Sequence, residues 1–260
     1  MDELSSPAPA KAPEELPPPL TLADDAQRWA LFLDFDGTLV ELAPSPESIR
    51  VPRELPRLLQ ELSGRFKGAL AIFTGRALAD LDRHLGIRFP AAGQHGVQRR
   101  FEADTQPWEA SVPSLDGVRR ALRELSGAWP GLLVEDKGST LAVHYRAAPE
   151  AGAQVHAVFA GIVEEAGRAL EIQEGKYVYE LRPAGVDKGA ALDAFMNTPR
   201  FAGRSPLVVG DDVTDENAFV AALRAGGAAV KVGEGASCAP WRLETPRAVR
   251  RWLQGMLEAR

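Results

Sequence analysis

The chain has 260 residues, of which 45% are hydrophobic and 25% are charged, a composition typical of a folded protein with one large or two modest domains. Its formal net charge is −6 and it has no basic stripe, which argues against a nucleic-acid-binding protein. The single cysteine, Cys238, excludes an internal disulfide framework and a zinc site built from several cysteines.

The N-terminal region is rich in Pro, Ala and Glu and shows no apolar periodicity. We expect residues 1–26 to form a disordered tail that serves as a linker or as a docking segment. The tail lacks the basic and then apolar pattern of a signal peptide, and no apolar run approaches the length of a membrane span. A cytoplasmic protein without membrane contacts is therefore expected.

The first apolar run, residues 30–35, leads into two aspartates. Asp34 and Asp36 are two positions apart, so their side chains share one side of an extended chain, and Gly37 and Thr38 then favour a turn. Open α/β sheets bind their ligands at this carboxyl end of the strands. Because two carboxylates this close repel each other unless a cation or a proton lies between them, the pair predicts an active site.

Predicted strands alternate with amphipathic helices in two parts of the chain. In the first part, strands are predicted at residues 30–35, 69–74 and 89–93, with helices at 52–66 and 77–85. In the second part, helices are predicted at residues 188–197, 214–225 and from 246 onward, with strands at 206–210 and 228–232. This alternation predicts an α/β fold in which residues 27–96 and 183–260 form a Rossmann-like parallel sheet flanked by helices.

The segment between these parts has a different pattern. Helices predicted at residues 113–128 and 149–167 each precede two strand-like runs joined by a short connection that contains glycine, as in a hairpin. Residues 97–182 are therefore predicted to form an inserted α+β module with an antiparallel sheet. An insertion at this point would lie over the carboxyl ends of the core strands as a cap.

Three more polar clusters lie at the ends of core elements. Thr74-Gly75-Arg76 offers a hydroxyl, an amide and a guanidinium to an anion, or is an N-cap beside a surface arginine. Lys188 stands at a helix start, where the dipole disfavours a cation unless an anion compensates it; a solvated lysine is the alternative. The acidic run 210–216 offers the oxygen ligands that Mg²⁺ prefers, or is a solvated helix cap.

Together, the Asp-x-Asp-Gly-Thr run, the Thr-Gly-Arg turn, the distant lysine and Gly-Asp-Asp-x-x-Asp resemble the haloacid dehalogenase-like phosphotransferases. The resemblance implies that Asp34 is a nucleophile that forms an aspartyl-phosphate, and that Asp36 protonates the leaving oxygen and then activates water. It also implies that Thr74 and Lys188 contact the phosphate. The implied cofactor is Mg²⁺, and its implied ligands are the Asp34 carboxylate, the Asp36 backbone carbonyl and Asp211, with Asp212 or Asp215 in support.

In this superfamily, an insertion between the Thr-Gly-Arg turn and the lysine marks the C2 type of cap. Residues 92–96, 134–146, 179–189 and 210–216 resemble signatures of the trehalose-6-phosphate phosphatases. That resemblance implies that Glu135, Lys137 and Glu180 bind hydroxyls of the distal glucose. It places His95 and Arg76 nearer to the phosphate or the junction. For Glu135 and Lys137, an ion pair on the hairpin surface is the alternative.

The resemblance implies a Mg²⁺-dependent phosphatase that converts trehalose 6-phosphate to trehalose and phosphate, the last step of trehalose biosynthesis. The expected partner is a small sugar phosphate, with no nucleic acid and no membrane, and the oligomeric state is not indicated. Two alternatives stay open. One is another C2-capped sugar phosphatase, acting on a sucrose phosphate or mannosyl-3-phosphoglycerate; the other is a non-catalytic sensor of sugar phosphates.

Overall fold

The computed structural model describes residues 26–43, 48–110, 113–136, 138–167, 169–175 and 177–258. Within these ranges, no helix has both the length and the apolar character needed to span a membrane. Apart from Ala26, the predicted tail lies outside the described residues, and so does Lys137, one of the residues implied to bind sugar.

The described fold contains twelve strands and seven α-helices. The strands are Trp29–Asp34 (β1), Leu70–Phe73 (β2), Ala91–Gly93 (β3), Gln98–Arg100 (β4), Trp108–Glu109 (β5), Leu133–Asp136 (β6), Leu141–His144 (β7), Leu170–Gly175 (β8), Val178–Pro183 (β9), Ser205–Gly210 (β10), Ala228–Val232 (β11) and Trp241–Leu243 (β12). The helices are Leu55–Arg65 (α1), Leu78–Leu85 (α2), Asp116–Ala128 (α3), Gly152–Glu165 (α4), Lys188–Met196 (α5), Glu216–Arg224 (α6) and Pro246–Glu258 (α7).

Eight strands form the main sheet, in the order β12-β11-β10-β1-β2-β3-β4-β5. β1 to β3 and β10 to β12 pair in parallel, whereas β4 and β5 add two antiparallel pairings at one edge. The sheet grows from β1 first towards β3 and later towards β12, so β1 lies where the strand order reverses. Ligands of such sheets bind beyond the carboxyl ends of the strands at this switch point.

Both faces of the main sheet are covered by helices. Leu31 of β1 packs in a buried cluster with α1, α2 and α7, whereas Phe32 packs on the other face with α5 and α6. The Phe32 ring centroid lies 5.2 Å from that of Phe73, 6.1 Å from that of Phe195 and 5.4 Å from that of Phe201. Because burial of one such side chain stabilises a fold by about 1.5–3 kcal/mol, this double layer explains the nearly continuous apolar strand sequences.

The second sheet is antiparallel and has the order β6-β7-β9-β8. Helices α3 and α4 cover one of its faces, where Leu141 is part of the buried cluster. Glu135, Ala142, Glu180 and Gln173 lie opposite one another on the four neighbouring strands. Since alternate residues of a strand point to opposite faces, this row lies on the face away from the helices.

Three short strands were not predicted from the sequence. β4 and β5 fall within the range 97–182 that was predicted as the cap, but β4 pairs with β3 and so extends the main sheet. β12 pairs with β11 at the opposite edge. Each has only two or three residues, which is too short for a period-two pattern to be recognised. The inserted antiparallel sheet itself begins at Leu133.

Candidate active site

Asp34, Lys188 and Asp215 form a buried cluster of charges at the carboxyl end of β1. Lys188 Nζ lies 2.6 Å from Asp34 Oδ1 and 2.6 Å from Asp215 Oδ1. Each of the three side chains is at most 7% exposed. A charge at this depth is strongly unfavourable unless an opposite charge pairs with it, so the three ionised groups depend on one another.

Parallel strands that end at the same level bring these residues together. Asp34 is the last residue of β1 and lies opposite Phe73, the last residue of β2, so that Thr74 begins the neighbouring loop. On the other side of β1, β10 ends one residue before Asp211. The polar clusters that follow three separate strands therefore meet at one edge of the sheet.

Lys188 is the first residue of α5, and the structure provides the compensation that a cation requires there. The Asp187 side chain caps the helix by accepting a hydrogen bond from the Ala190 backbone N–H at 2.7 Å. The Lys188 ammonium turns away from solvent onto Asp34 and Asp215. The alternative of a solvated lysine is therefore excluded, because this side chain is only 2% exposed.

The site carries more buried negative than positive charge. Burial raises the pKa of Asp34 well above the usual carboxyl value; Lys188 opposes this rise, and Asp215 and Asp211 add to it. Burial also raises the pKa of Asp211, and the charge of Asp215 adds to that effect. For Lys188, burial lowers the pKa, but Asp215 and Asp34 more than offset this and the net shift is upward. An added cation would relieve the repulsion among the carboxylates.

Asp34, Asp211 and Asp215 form a donor set that suits such a cation. Each has a carboxylate oxygen within 4.8 Å of those of the other two. Asp34 Oδ2 is buried and accepts no hydrogen bond within the described part of the chain. Mg²⁺ takes a few carboxylate oxygens together with water and phosphate oxygens, so these residues fit it. Asp212 is placed differently, because its Oδ2 contacts the Thr214 hydroxyl at 3.4 Å and it is not one of these three carboxylates.

The Asp36 carboxylate is bound by Arg76 rather than being part of this acidic set. Arg76 Nε donates to Asp36 Oδ2 at 2.7 Å, and Nη2 donates to Oδ1 at 2.8 Å. Nη1 of the same guanidinium donates to Asp80 Oδ2 at 2.8 Å. The Arg76 side chain is 9% exposed. The resemblance implied that Arg76 binds the substrate, but its guanidinium contacts two carboxylates. One of them is Asp36, the residue implied to donate a proton.

The loop after β2 is packed against a turn in an uncommon backbone conformation. Gln94 and His95 have φ angles of 49° and 55°, in the left-handed region, where strain is often associated with functional sites. The Gln94 N–H donates to the Arg76 carbonyl at 2.9 Å, and the His95 N–H donates to the Thr74 carbonyl at 3.1 Å. A Cβ at Gly75 would lie 2.7 Å from the imidazole. His95 therefore lies directly against the loop that carries Thr74.

Thr74 is fully buried, and its hydroxyl accepts a hydrogen bond from the Arg76 backbone N–H at 3.1 Å. The alternative of an N-cap beside a surface arginine is wrong, because Ala77 is the N-cap of α2 and the Arg76 side chain is only 9% exposed. The hydroxyl instead closes a turn over two residues. This contact leaves the hydroxyl hydrogen of Thr74 available as a donor, because the oxygen acts only as an acceptor there.

Three neighbours hold Asp211 in place. The Thr38 hydroxyl donates to Asp211 Oδ1 at 3.0 Å, and the buried Lys231 donates through Nζ to the Asp211 backbone carbonyl. Gly37 allows the closest approach, since a Cβ there would lie 2.1 Å from Asp211 Oδ2. Lys231 is not among the residues predicted from the sequence motifs. A lysine inside the apolar strand Ala228–Val232 was the available signal, because a buried ammonium requires a partner.

A cavity of about 730 Å³ extends from this cluster to the inserted sheet. On the core side its walls include Asp34, Lys188 and His95; among the described residues, Glu135 and Asp136 line it from the inserted sheet. A volume of this size is typical of small-molecule sites. The cavity therefore connects the buried charges with one of the residues implied to bind sugar.

Glu135 and Glu180 lie on the same face of the inserted sheet, with Ala142 between them. Two strand spacings separate the glutamates, which is roughly 10 Å. His144 Nε2 lies 3.2 Å from Glu135 Oε2, so this histidine contacts a residue implied to bind sugar. In the loop after β6, the Ser139 hydroxyl donates to Gln94 Oε1 of the core.

The comparison with protein families matches residues 32–246 to the trehalose-phosphatase family. A probable trehalose-phosphate phosphatase of Sinorhizobium fredii is 41% identical over 213 residues, which cover 82% of this chain and 80% of the relative. The trehalose-6-phosphate phosphatase of Escherichia coli is 38% identical over 242 residues, which cover 91% of this chain and 90% of the relative.

Among solved structures, the C-terminal domain of the trehalose-6-phosphate phosphatase of C. albicans superposes with a TM-score of 0.76. The match covers 95% of this chain and 98% of that chain at 22% sequence identity. At this identity the likeness shows a shared fold alone. It confirms the predicted haloacid dehalogenase-like architecture of an α/β core with an inserted antiparallel sheet.

Proposed function

Because the chain belongs to the trehalose-phosphatase family and is a phosphoric monoester hydrolase, we propose that it hydrolyses trehalose 6-phosphate to trehalose and phosphate. One observation carries the proposal. Asp34 is a buried carboxylate, paired on one oxygen with Lys188, and it lines a cavity that reaches Glu135 of the inserted sheet. This arrangement supports a reaction in which Asp34 is the nucleophile at one end of the cleft and Glu135 binds a sugar hydroxyl at the other.

The proposed reaction has two steps at Asp34. In the first, a carboxylate oxygen of Asp34 bonds to phosphorus while the bond from phosphorus to the sugar oxygen breaks, and Asp36 gives its proton to that oxygen. In the second, Asp36 takes a proton from water as the water oxygen attacks phosphorus, which releases phosphate and restores Asp34. Lys188 and the loop of Thr74 offset the phosphate charge, which is the main contribution that a protein makes to phosphoryl transfer.

The proposed cofactor is Mg²⁺. Asp34 and Asp211, with the Asp36 backbone carbonyl, would hold it, and Asp215 would support it from the same cluster. The ion supplies positive charge that allows a phosphate dianion to approach a carboxylate. Asp212 is a weaker candidate than Asp215, because Asp215 is one of the three residues whose carboxylate oxygens lie within 4.8 Å of one another and Asp212 is not.

The proposed cap is the inserted sheet with helices α3 and α4, within the range 97–182 but without β4 and β5, which pair with the main sheet. Glu135 and Glu180 would accept hydrogen bonds from hydroxyls of the distal glucose, together with Lys137. Buried or half-buried carboxylates discriminate strongly against analogues that lack the matching hydroxyl, because the acceptor is then left without a donor. His95 lies at the phosphate end of the cleft.

The test is phosphate release from a panel of trehalose 6-phosphate, glucose 6-phosphate, sucrose 6-phosphate and mannosyl-3-phosphoglycerate. We expect kcat/KM for trehalose 6-phosphate to exceed that for glucose 6-phosphate by at least about 100-fold, because the second glucose supplies the contacts to the cap. Comparable values for these two substrates would contradict the proposal. A higher kcat/KM for sucrose 6-phosphate or mannosyl-3-phosphoglycerate would mean that this compound, and not trehalose 6-phosphate, is the substrate.

An Asp34→Asn variant tests the nucleophile. Its turnover should be undetectable while its melting temperature stays near that of the wild type, because asparagine keeps the shape of the side chain. Asp193→Asn is the matched control, since Asp193 is exposed and pairs only with Arg224 among the described contacts. A binding protein without turnover would show no activity in either the wild type or the variant.

A further inference from the structure

We propose that Arg76 and Asp80 form a positioning pair that fixes the carboxylate of Asp36, and that Arg76 is not a ligand of the substrate phosphate. The inference rests on the proposed function, because it assigns two residues a part in the reaction of that site. It differs from the expectation for Arg76 drawn from the sequence, which placed this residue near the phosphate or the junction.

The orientation of the guanidinium carries the inference. Each of the three nitrogen atoms of Arg76 lies within 2.8 Å of a carboxylate oxygen, two of them on Asp36 and the third on Asp80. The two parallel hydrogen bonds to Asp36 form a planar fork, which fixes both the position and the plane of that carboxylate. A single charge at this position, such as an ammonium, would fix neither.

Asp80 provides a rigid anchor for this arginine. It stands in the first turn of α2, where an acidic residue interacts favourably with the helix dipole. The α2 side chains Leu78, Leu81 and Leu85 are buried against the core, which holds the helix in place. Asp80 also accepts a hydrogen bond from Arg83 Nη1 at 2.6 Å on its solvent side. A helix, rather than a loop, therefore sets where the Arg76 fork lies.

Accurate placement of Asp36 matters because a sugar oxygen is a poor leaving group. As its bond to phosphorus breaks, it develops negative charge and needs a proton from a group within hydrogen-bond reach. Misplacement of such a group by about 1 Å can reduce the rate about 100-fold. The phosphate charge has other partners, because Lys188 lies beside Asp34 and the loop of Thr74 follows the next strand.

The test compares two substrates whose leaving groups differ in their need for a proton. Trehalose 6-phosphate needs one, whereas p-nitrophenyl phosphate releases a stabilised phenolate without it. For Arg76→Lys we expect the rate of trehalose release in the first turnover to fall about 30- to 100-fold, with a loss of less than about 3-fold in the first-turnover release of p-nitrophenolate. First-turnover rates are compared because the later hydrolysis of the aspartyl-phosphate uses Asp36 with both substrates. Inhibition by inorganic phosphate should change less than about 3-fold, since binding of the phosphate is not affected.

Asp80→Asn and Asp36→Asn complete the design. In the first turnover, Asp36→Asn should show the same selective loss in a stronger form, and Asp80→Asn should show it in a weaker form, about 5- to 10-fold. Steady-state turnover of Asp36→Asn should fall on both substrates, because the second step also uses Asp36. Arg83→Lys is the matched control, because Arg83 also contacts Asp80 but is 74% exposed and does not reach Asp36. It should keep wild-type kinetics. The kinetics are compared only for variants whose melting temperatures are close to that of the wild type.

Two results would overturn the inference. Equal losses on both substrates in Arg76→Lys, together with inhibition by phosphate weakened about 10-fold or more, would make Arg76 a phosphate ligand. Wild-type kinetics for Asp80→Asn would remove Asp80 from the pair. Failure of the proposed function is separate, because it appears as a wild type that does not hydrolyse trehalose 6-phosphate; the leaving-group comparison would then use the sugar phosphate that it does hydrolyse.

Discussion

The ammonium of Lys188 binds the carboxylate of Asp34 at 2.6 Å, although 154 residues separate them in the chain. Both side chains are buried, so each depends on the other for its charge. We expect Lys188→Met to abolish turnover and to lower the free energy of unfolding by about 3–5 kcal/mol, because two buried carboxylates lose their counter-charge. Urea denaturation and phosphate release measure the two effects.

The control for this variant is an exposed ion pair. Arg224 and Asp193 pair at 2.7 Å with both side chains at least half exposed, so Arg224→Ala should change the free energy of unfolding by less than about 1 kcal/mol. Equal effects of the two substitutions would mean that Lys188 is not buried in solution.

The second prediction concerns Gly37, whose φ of +82° and close contact with Asp211 leave no room for a side chain. In Gly37→Ala the new methyl group would displace the Asp211 carboxylate. We therefore expect Mg²⁺ to bind at least about 10-fold more weakly, as seen by calorimetry, because a metal ligand no longer meets the others.

Gly185→Ala is the matched control for Gly37→Ala. Gly185 also has a positive φ, +69°, but a Cβ there meets no heavy atom within 4 Å. It should carry the conformational strain of about 1 kcal/mol without any loss of Mg²⁺ affinity. If both variants bound Mg²⁺ equally, the steric explanation would be wrong.

The third prediction concerns Ala142, which is 2% exposed and lies between Glu135 and Glu180 on the face opposite the cap helices. A leucine there would occupy the space between the two carboxylates. We expect Ala142→Leu to raise KM for trehalose 6-phosphate at least about 10-fold and to leave turnover of p-nitrophenyl phosphate within about 2-fold.

Ala157→Leu makes the same change on an exposed position of α4 and should leave both substrates unaffected. Parallel losses on both substrates in Ala142→Leu would indicate a distorted cap sheet rather than a blocked sugar site. The ratio of the two kcat/KM values is therefore the deciding quantity.

The fourth prediction concerns the thiol of Cys238. Partial burial, followed by a hydrogen bond to Glu216 and by the charge of that residue, raises its pKa to about 11. At about pH 8 we expect iodoacetamide to react roughly 100-fold more slowly with it than with a free thiol, since the thiolate is the reactive form. Glu216→Gln should speed the reaction, and mass spectrometry follows it.

The raised pKa of Cys238 also makes the free energy of unfolding depend on pH. A thiol whose pKa is raised by folding contributes stability that is present below the unfolded-state pKa and is lost as the pH rises through about 11. In Glu216→Gln this loss should occur at lower pH or disappear. An unchanged alkylation rate in the variant would contradict the assigned cause.

The meeting of the polar residues of the site could be anticipated, because they lie at the ends of strands. Asp34, Thr74 and Asp211 come directly after apolar runs, and parallel strands place their carboxyl ends at one edge. The partners of Arg76 could not be anticipated in this way. Whether a guanidinium reaches a phosphate or a neighbouring carboxylate depends on side-chain torsions and on the position of α2, neither of which a linear pattern encodes.

Lys231 and the edge strands illustrate two other limits. A lysine in a buried strand signals that it has a partner, but the partner is a backbone carbonyl, which has no sequence signature. β4 ends at Arg100, which is buried and pairs with Asp82 at 2.6 Å. Short strands held by such tertiary contacts lack the periodicity that identifies longer ones.

The turn of Gln94 and His95 links parts of the molecule that act at different stages of the reaction. Its backbone is bonded to the loop of Thr74 and Arg76, and its Gln94 side chain accepts a hydrogen bond from Ser139 of the inserted segment. Both contacts belong to Gln94, so we expect a tilt of the inserted segment to be transmitted to the loop of Thr74 and Arg76. A small phosphate ester would not contact the inserted sheet and so would not hold the cleft closed. We therefore expect such an ester to react slowly, which would limit hydrolysis of other phosphorylated metabolites.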